Sequence, residues 1–584
     1  MDEFVLKVEA TAQRGWHLEL LRADSSIVFQ RNKESAFLLS GVIDFSPIGD
    51  ASTVEGLQKI LSRFLSVDEV LKWASECDGQ FCLIAVIAGQ LVAIRDAFGV
   101  HGLCCHAASD YFLFSSSPGA LVRQFPVLRG LNSRYVFAMV CTHYRYLDSY
   151  EKETAYSQIM QVPGGSFLKA EGAKKFEIGR YYDVSLRPEY TSMSQDELVD
   201  QYLGLLERQI KRRLSRAGKT IYSVSSGIDS ASVACTAAKL GLDVDLYSCS
   251  YGTEMEYDES VEVQSLAKFL GKPLQLLEVG VHDLFPVWNT LTEKSLYPLA
   301  SVTFVAHGFA CGVLQDKYQN VVSGLGGDEI HSGEFEHFIP YFADLHRHSH
   351  HEVLNMEIAG WAHHHFHPEF PKNRDVVERA LREYMSPPPK WQVFADPERF
   401  SKYGLCASDG LKQEIGEFIP PVSNRFDSYL LNKIHQELWH ETIPCCLRSD
   451  FLNVSGYNMR TAFPYLNQDL FSFGFSLPLL YRYNGGVSKA FARHAMKGIL
   501  PDASVLQVKK VGWNAPLDQW LRQLHSEVEA RICDSRLQQY VNQDVCMGLW
   551  REHLSGQKNH MMLLFPLLNL QILIDHLDRA ALVS

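Results

Sequence analysis

The chain has no CxxC pair, no low-complexity tract, and no charged-then-apolar N-terminal plan of a signal peptide. No apolar run reads as long enough to span a bilayer, so a membrane is not expected as a partner. Basic excess is missing too. The net charge of −13 argues against nucleic acid, whose phosphates demand clustered Lys and Arg. The short run Lys211-Arg212-Arg213 falls in a helical pattern and is expected on a solvated face. The thirteen cysteines are an odd number, and Cys104-Cys105 and Cys445-Cys446 sit in apolar contexts. Reduced, mostly buried thiols of a cytoplasmic protein are therefore expected. What remains is an ordinary globular composition over 584 residues, enough for two or three domains.

The most informative stretch is 219–241, KTIYSVSSGIDSASVACTAAKLG. It reads as a buried strand ending at Val224, a small-residue turn (Ser225, Ser226, Gly227, Ile228, Asp229, Ser230), and a helix stopped at Gly241. Backbone N–H groups in such a turn, the positive end of the helix and three serine hydroxyls make an anion site, most plausibly for phosphate. The turn itself lacks the Gly-Lys-Ser/Thr ending of a kinase-type loop.

Residues 1–190 carry short apolar strands with turn signals, clearest at Leu38 to Phe45, Phe81 to Ile87, Gln90 to Ile94 and Tyr111 to Ser115. Two helical patterns, at 54–64 and 67–76, lie between the first two, which fits an α/β/β/α layering. Over 195–584 long helices alternate with short apolar strands, as in a parallel sheet covered on both faces. The strand Val244 to Ser250 places Ser250 near a nucleotide, because ligands collect at the carboxyl ends of parallel strands. The carboxylates after it (Glu254, Glu256, Asp258, Glu259) are expected in a solvated loop. A further strand, Asn320 to Ser323, leads into Gly324-Leu325-Gly326-Gly327-Asp328-Glu329. Its glycines let the backbone approach a nucleotide, and Asp328 with Asp229 forms a natural carboxylate pair for Mg²⁺.

Several of these motifs resemble the asparagine synthetase family. The turn 225–230 is similar to the SGGxDS loop of ATP-pyrophosphatases, with Ser226 in place of the first glycine, and 323–329 is similar to the family's SGxGGDE element. Asp78-Gly79-Gln80-Phe81, Arg95-Asp96-Ala97-Phe98-Gly99 and Val162-Pro163-Gly164-Gly165 resemble its glutaminase domain. Leu447-Arg448-Ser449-Asp450, Phe463-Pro464-Tyr465-Leu466-Asn467, Ser488-Lys489 and 508–517 (VKKVGWNAPL) follow its C-terminal half in order. The resemblance implies an Ntn-hydrolase-like N-terminal domain and an adenine-nucleotide α-hydrolase-like synthetase domain with a helical C-terminal part. It implies ATP and Mg²⁺ as cofactors, with Val224, Ser225, Ser226, Gly227, Asp229, Ser230, Ser250, Gly324, Gly326 and Gly327 on the nucleotide and Asp229 and Asp328 on the metal. It assigns Lys509, or Lys510 beside it, to the phosphates.

Two departures shape the expected reaction. The family's glutaminase uses an N-terminal cysteine; this chain begins Met1-Asp2, its first cysteine is Cys77, and no glutamine hydrolysis is expected. The family's glutamate before the RxPF segment falls on Asn458 or Arg460, and Tyr457 is a phenol nearby. The expectation is adenylation of a carboxylate, small-molecule or peptide, and amide formation as in the β-lactam synthetases and lasso-peptide cyclases, with biosynthetic partner proteins possible. A lasso-type macrolactam former comes first. The alternatives are an ammonia-dependent asparagine synthetase, a β-lactam synthetase, or a nucleotide-binding scaffold. His346/His350 and His363/His367 have helical metal-ligand spacing but no supporting residues, and 386–425 is expected to be an exposed loop or lid.

Overall fold

The computed structural model describes residues 3–10, 16–24, 27–31, 36–214, 216, 218–252, 255, 257–364, 374–386, 402–416, 418–508 and 514–583. Its first part is two stacked antiparallel sheets. One has the order β2-β1-β8-β7-β9, built from β1 (Phe4–Ala10), β2 (Trp16–Ala23), β7 (Cys104–Ala107), β8 (Tyr111–Ser115) and β9 (Met160–Gln161). The other has the order β11-β10-β6-β5-β4-β3, from β3 (Val28–Arg31), β4 (Ala36–Phe45), β5 (Asp78–Ile87), β6 (Gln90–Arg95), β10 (Ser166–Gly172) and β11 (Lys175–Arg180).

Strand alternation assigns each residue to a layer. Phe4, Leu6 and Val8 meet Leu38, Ile84 and Ala93 between the sheets. Phe37, Leu39, Phe81 and Leu83 face the other way, onto α1 (Val54–Leu61) and α2 (Val67–Glu76). Val5 and Leu113 pack on the side of α3 (Pro118–Gln124) and α4 (Ser133–Cys141). The layering is α/β/β/α.

The second part is organised on a five-stranded parallel sheet in the order β14-β13-β12-β15-β16: β12 (Thr220–Ser223), β13 (Asp245–Ser250), β14 (Leu274–Glu278), β15 (Asn320–Val322) and β16 (Arg460–Ala462). Neighbouring residues serve opposite cores. Tyr222, Leu246 and Val322 join the core under α5 (Gln195–Leu214) and α6 (Ile228–Lys239). Ile221, Tyr247 and Val321 join the core formed with the helices Leu284–Ser295, Thr303–Leu314 and Met561–Val583.

Three expectations are corrected here. Arg213 is fully buried, because the spacing Leu206, Gln209, Ile210, Arg213 puts it on the inward face of α5. Its guanidinium bridges to Asp44 and Asp78 of the N-terminal part, at 2.6 Å each. The C-terminal helix is, over Met561–Ala581, long and apolar enough to cross a bilayer by length and composition, against the expectation that no run would be; 78% of that window is buried inside the protein. In the 386–425 stretch, 387–401 and 417 lie outside the described residues, but Tyr403, Cys406, Ala407 and Leu411 are buried in the core. Ser408 caps the helix Asp409–Ile415 there, accepting from the Leu411 N–H at 3.2 Å.

Removing one member of a buried ion pair leaves the other charge desolvated and unpaired. Arg213→Ala is expected to destabilise the protein by about 3–5 kcal/mol, read as a lower denaturant midpoint in urea.

Candidate active site

At the end of β12 the Val224 N–H still donates to the Tyr247 carbonyl, at 3.0 Å, and the chain then turns into α6. The turn is tied internally: the Ser225 N–H donates to Ser230 Oγ at 3.1 Å and the Gly227 N–H to Ser225 Oγ at 3.2 Å. The glycine-rich turn after β15 lies directly on this one. A Cβ on Gly324 would stand 2.8 Å from the Ser230 nitrogen, and one on Gly327 2.5 Å from Asp229 Cγ. Gly326 adopts φ +95, open to glycine at no steric cost. No other residue type fits these approaches.

The two carboxylates meet through a lysine. Lys489 Nζ contacts the Asp229 carboxylate and lies 2.7 Å from Asp328 Oδ1. His331 Nδ1 is 3.2 Å from Asp229 Oδ1. Burial alone would raise the Asp229 carboxyl; the Lys489 ammonium and the His331 ring outweigh it and hold it below the usual carboxylate range. Two hard-oxygen donors from separate strand ends, close enough to share one ammonium, would suit a magnesium ion.

These groups open into a cleft of about 530 Å³, within the range of ligand pockets. Val224, Ser225, Ser226, Gly227, Asp229, Ser230, Gly324 and Asp328 line it. Gly326 and Gly327 stand behind the lining, where they permit the close packing described above. Ser250 is turned away, its hydroxyl donating to Asp258 at 2.6 Å. Tyr457 is outside the cleft: its ring is buried beneath the Lys294 ammonium, 3.6 Å from the ring centre. Burial pushes that phenol further up, away from any role as a base. Lys509 and Lys510 lie outside the described residues.

The acidic patch differs from its expectation. Glu254 and Glu256 lie outside the described residues, but Asp258 accepts from the Tyr251 and Ser260 N–H groups at 2.7 and 3.0 Å. Glu259 lines the cleft and accepts from the Ser226 hydroxyl and, at 3.3 Å, from its N–H. The hydroxyl that replaces the motif glycine is therefore used. The histidine spacing fails for a local reason. The helix Phe338–Arg347 ends after His346, and Ser349 at φ +60 turns the chain before His350. His367 lies outside the described residues, and among the described residues no group of three or more His, Cys, Asp or Glu is placed to hold a metal.

The sequence motifs missed other parts of the cleft. Lys489 marked only the order of a motif, yet its φ of +59 is uncommon for a residue with a side chain and sets its ammonium between the two carboxylates. His143, Tyr144 and Arg145, from the N-terminal part, form one wall. Tyr247, His307 and Asp450 line its interior, and Met561, Met562 and Phe565 give it an apolar side.

A family model described as Asparagine synthase matches residues 201–575, well over half of the chain. The chain belongs to the asparagine synthase family. Membership brings ATP-dependent amide-bond formation, a carbon–nitrogen ligase activity. None of the curated proteins compared with the chain matches it. Two solved structures are similar at 9% identity. The B. subtilis glutamine phosphoribosylpyrophosphate amidotransferase complexed with ADP and GMP has a TM-score of 0.21, over 47% of this chain and 84% of that one. A structure described as the allosteric regulatory enzyme of purine biosynthesis has a TM-score of 0.20, over 48% and 74%. Likenesses this slight carry no weight for the function.

Asp328→Asn removes one of the two anionic donors from this point. Magnesium-dependent ATP binding, followed calorimetrically, is expected to weaken by more than about tenfold, ~1.4 kcal/mol. Because the Asp229 carboxyl is depressed, its contribution to stability is present above the ordinary carboxylate pKa and is lost as pH falls through the folded value. Lys489→Met is expected to remove that contribution, so that the stability gap between parent and variant narrows on acidification below about pH 4 in pH-dependent denaturation.

Proposed function

We propose that this protein activates a carboxylate with ATP as an acyl-adenylate, releasing pyrophosphate, and transfers the acyl group to an amine without hydrolysing glutamine. The observation that carries the reading is the convergence of the 225–230 turn, Asp229, Asp328 and Lys489 in one cleft. The N–H groups of 225–227 are engaged within the turn and by Glu259, so the donors for a departing pyrophosphate are those of the first turn of α6, which has no side-chain cap. Asp229 and Asp328 would hold magnesium, which neutralises phosphate charge when bound. Lys489 brings a fixed ammonium to the same point, and Lys509 or Lys510 is proposed beside it. Products are an amide, AMP and pyrophosphate.

Two features support a substrate without a glutamine-derived amine and larger than aspartate. Cys77, Cys104, Cys105 and Cys141 of the N-terminal part are buried, and burial raises their thiols, Cys105 and Cys141 to about 12, which suits packing and not nucleophilic attack. The apolar side made by Met561, Met562 and Phe565 suits a peptide or similarly bulky acid. Macrolactam formation on a peptide Asp or Glu side chain is the first reading.

The test is pyrophosphate release from Mg-ATP with a panel of L-aspartate plus ammonium, β-amino acids, and linear peptides bearing Asp or Glu and a free N-terminal amine. Release with the peptides, AMP as co-product and loss of one water from the peptide mass are expected; glutamine adds nothing. ADP as the product, or release with aspartate and glutamine alone, overturns the reading.

A further inference from the structure

An amine that attacks an activated acyl group must lose a proton, and neither Asn458, Arg460 nor the buried Tyr457 offers a base at the cleft. Three side chains from three separate elements form a chain of contacts inside that cleft. Tyr247 of β13 places its hydroxyl 3.1 Å from His307 Nδ1, on the helix Thr303–Leu314. His307 Nε2 lies 3.2 Å from Asp450 Oδ1, on the helix Thr442–Ser455. All three are buried, and all three line the cleft. A carboxylate only accepts, so the Nε2 proton points to Asp450, and when the ring is neutral Nδ1 is the acceptor that faces the phenol. This is the order hydroxyl, imidazole, carboxylate of an activated-hydroxyl triad, with a phenol at its head.

Resting on the ligase reading above, we propose that Tyr247, His307 and Asp450 are a proton relay that takes the proton of the attacking amine. The nitrogen forms its bond to the carbonyl carbon, the bond from that carbon to the AMP oxygen breaks, and AMP leaves with the electron pair. The nitrogen's proton passes to the Tyr247 oxygen as the phenolic proton passes to His307 Nδ1, and the imidazolium is held by Asp450. The groups facing the ring are Tyr247 and Cys249 from β13, Cys311 from its own helix, and Asp450. Burial disfavours the imidazolium, but Cys311, Tyr247 and Asp450 outweigh it and raise the ring above its ordinary value. The relay works only with the ring neutral, so amide formation rises with pH through that titration.

The test pairs two assays on the full chain with Mg-ATP and the peptides of the panel above. One is ATP–pyrophosphate exchange, which reports adenylation alone; the other is peptide mass, which reports amide formation. Tyr247→Phe and His307→Asn are expected to lose amide formation by about 100-fold or more with exchange near that of the parent. Asp450→Asn is expected to move the acid limb of amide formation to lower pH, since the ring loses its carboxylate. Parallel loss in both assays, full amide formation by Tyr247→Phe, or an unmoved limb in Asp450→Asn overturns the relay while the ligase reading stands. A parent that exchanges pyrophosphate with no member of the panel overturns the ligase reading, and the relay with it.

Discussion

A guanidinium with no access to water fixes how the two parts of this protein meet. Arg213 reaches from α5 of the synthetase part to Asp44 and Asp78 of the N-terminal sheets, and Arg216 adds a second contact to Asp44 at 2.7 Å. A second buried pair, Arg448 with Asp148 at 2.9 Å, ties the far side. Such pairs return little net stability over apolar packing, yet they tolerate no loose alternative, because any slippage strands a desolvated charge. They define one register between the parts. The wall of His143, Tyr144 and Arg145 stands where it does because of that register, and Arg145 is itself held by Glu334 and Glu336 across the same boundary.

The chemistry of the cleft follows from a second constraint, the shared exit of parallel strands. β12 and β15 are neighbours, so the turns that follow them must emerge side by side. Glycine at 324 and 327 lets those turns touch, and contact brings the Asp229 and Asp328 carboxylates to one point. Two like charges there would raise each other's pKa; a cation resolves the conflict. Lys489 supplies one from the distant C-terminal half, which makes the site a product of the whole synthetase part and not of one motif.

The strands, the turn 225–230, the glycine-rich turn and the carboxylate pair were legible because each is written in a few consecutive residues. What escaped were features set by a partner far along the chain. Arg213 reads as one more surface cation until its helical phase with Tyr202, Gln209 and Ile210 is counted and two aspartates are found opposite it. Glu259 reads as a solvated acid until Ser226, thirty-three positions earlier, is seen to donate to it. The C-terminal helix reads as unremarkable in hydropathy, although it is apolar enough for a bilayer, and only packing such as that of Phe565 on Trp288 shows where that surface is spent. Tyr457 is near a motif in sequence, but its ring is buried beneath Lys294 and outside the cleft.

The cleft is composite, so its shape depends on the N-terminal part as well as on the synthetase part. In a two-domain arrangement joined only by a linker, displacing one part would cost the other little. Here its segment 143–145 forms cleft surface, its Tyr156 hydroxyl is held by the Leu296 carbonyl, and its Ala155 N–H is held by the Tyr297 hydroxyl at 2.7 Å. Leu296 and Tyr297 lie just upstream of the 300–304 segment, separated from it by Pro298 and Leu299, and that segment lines the cleft beside His307. Displacing the N-terminal sheets would therefore disturb the approach to the reacting centre through covalent neighbours as well as through the wall itself. The shape of the synthetase cleft therefore depends on those sheets staying in place.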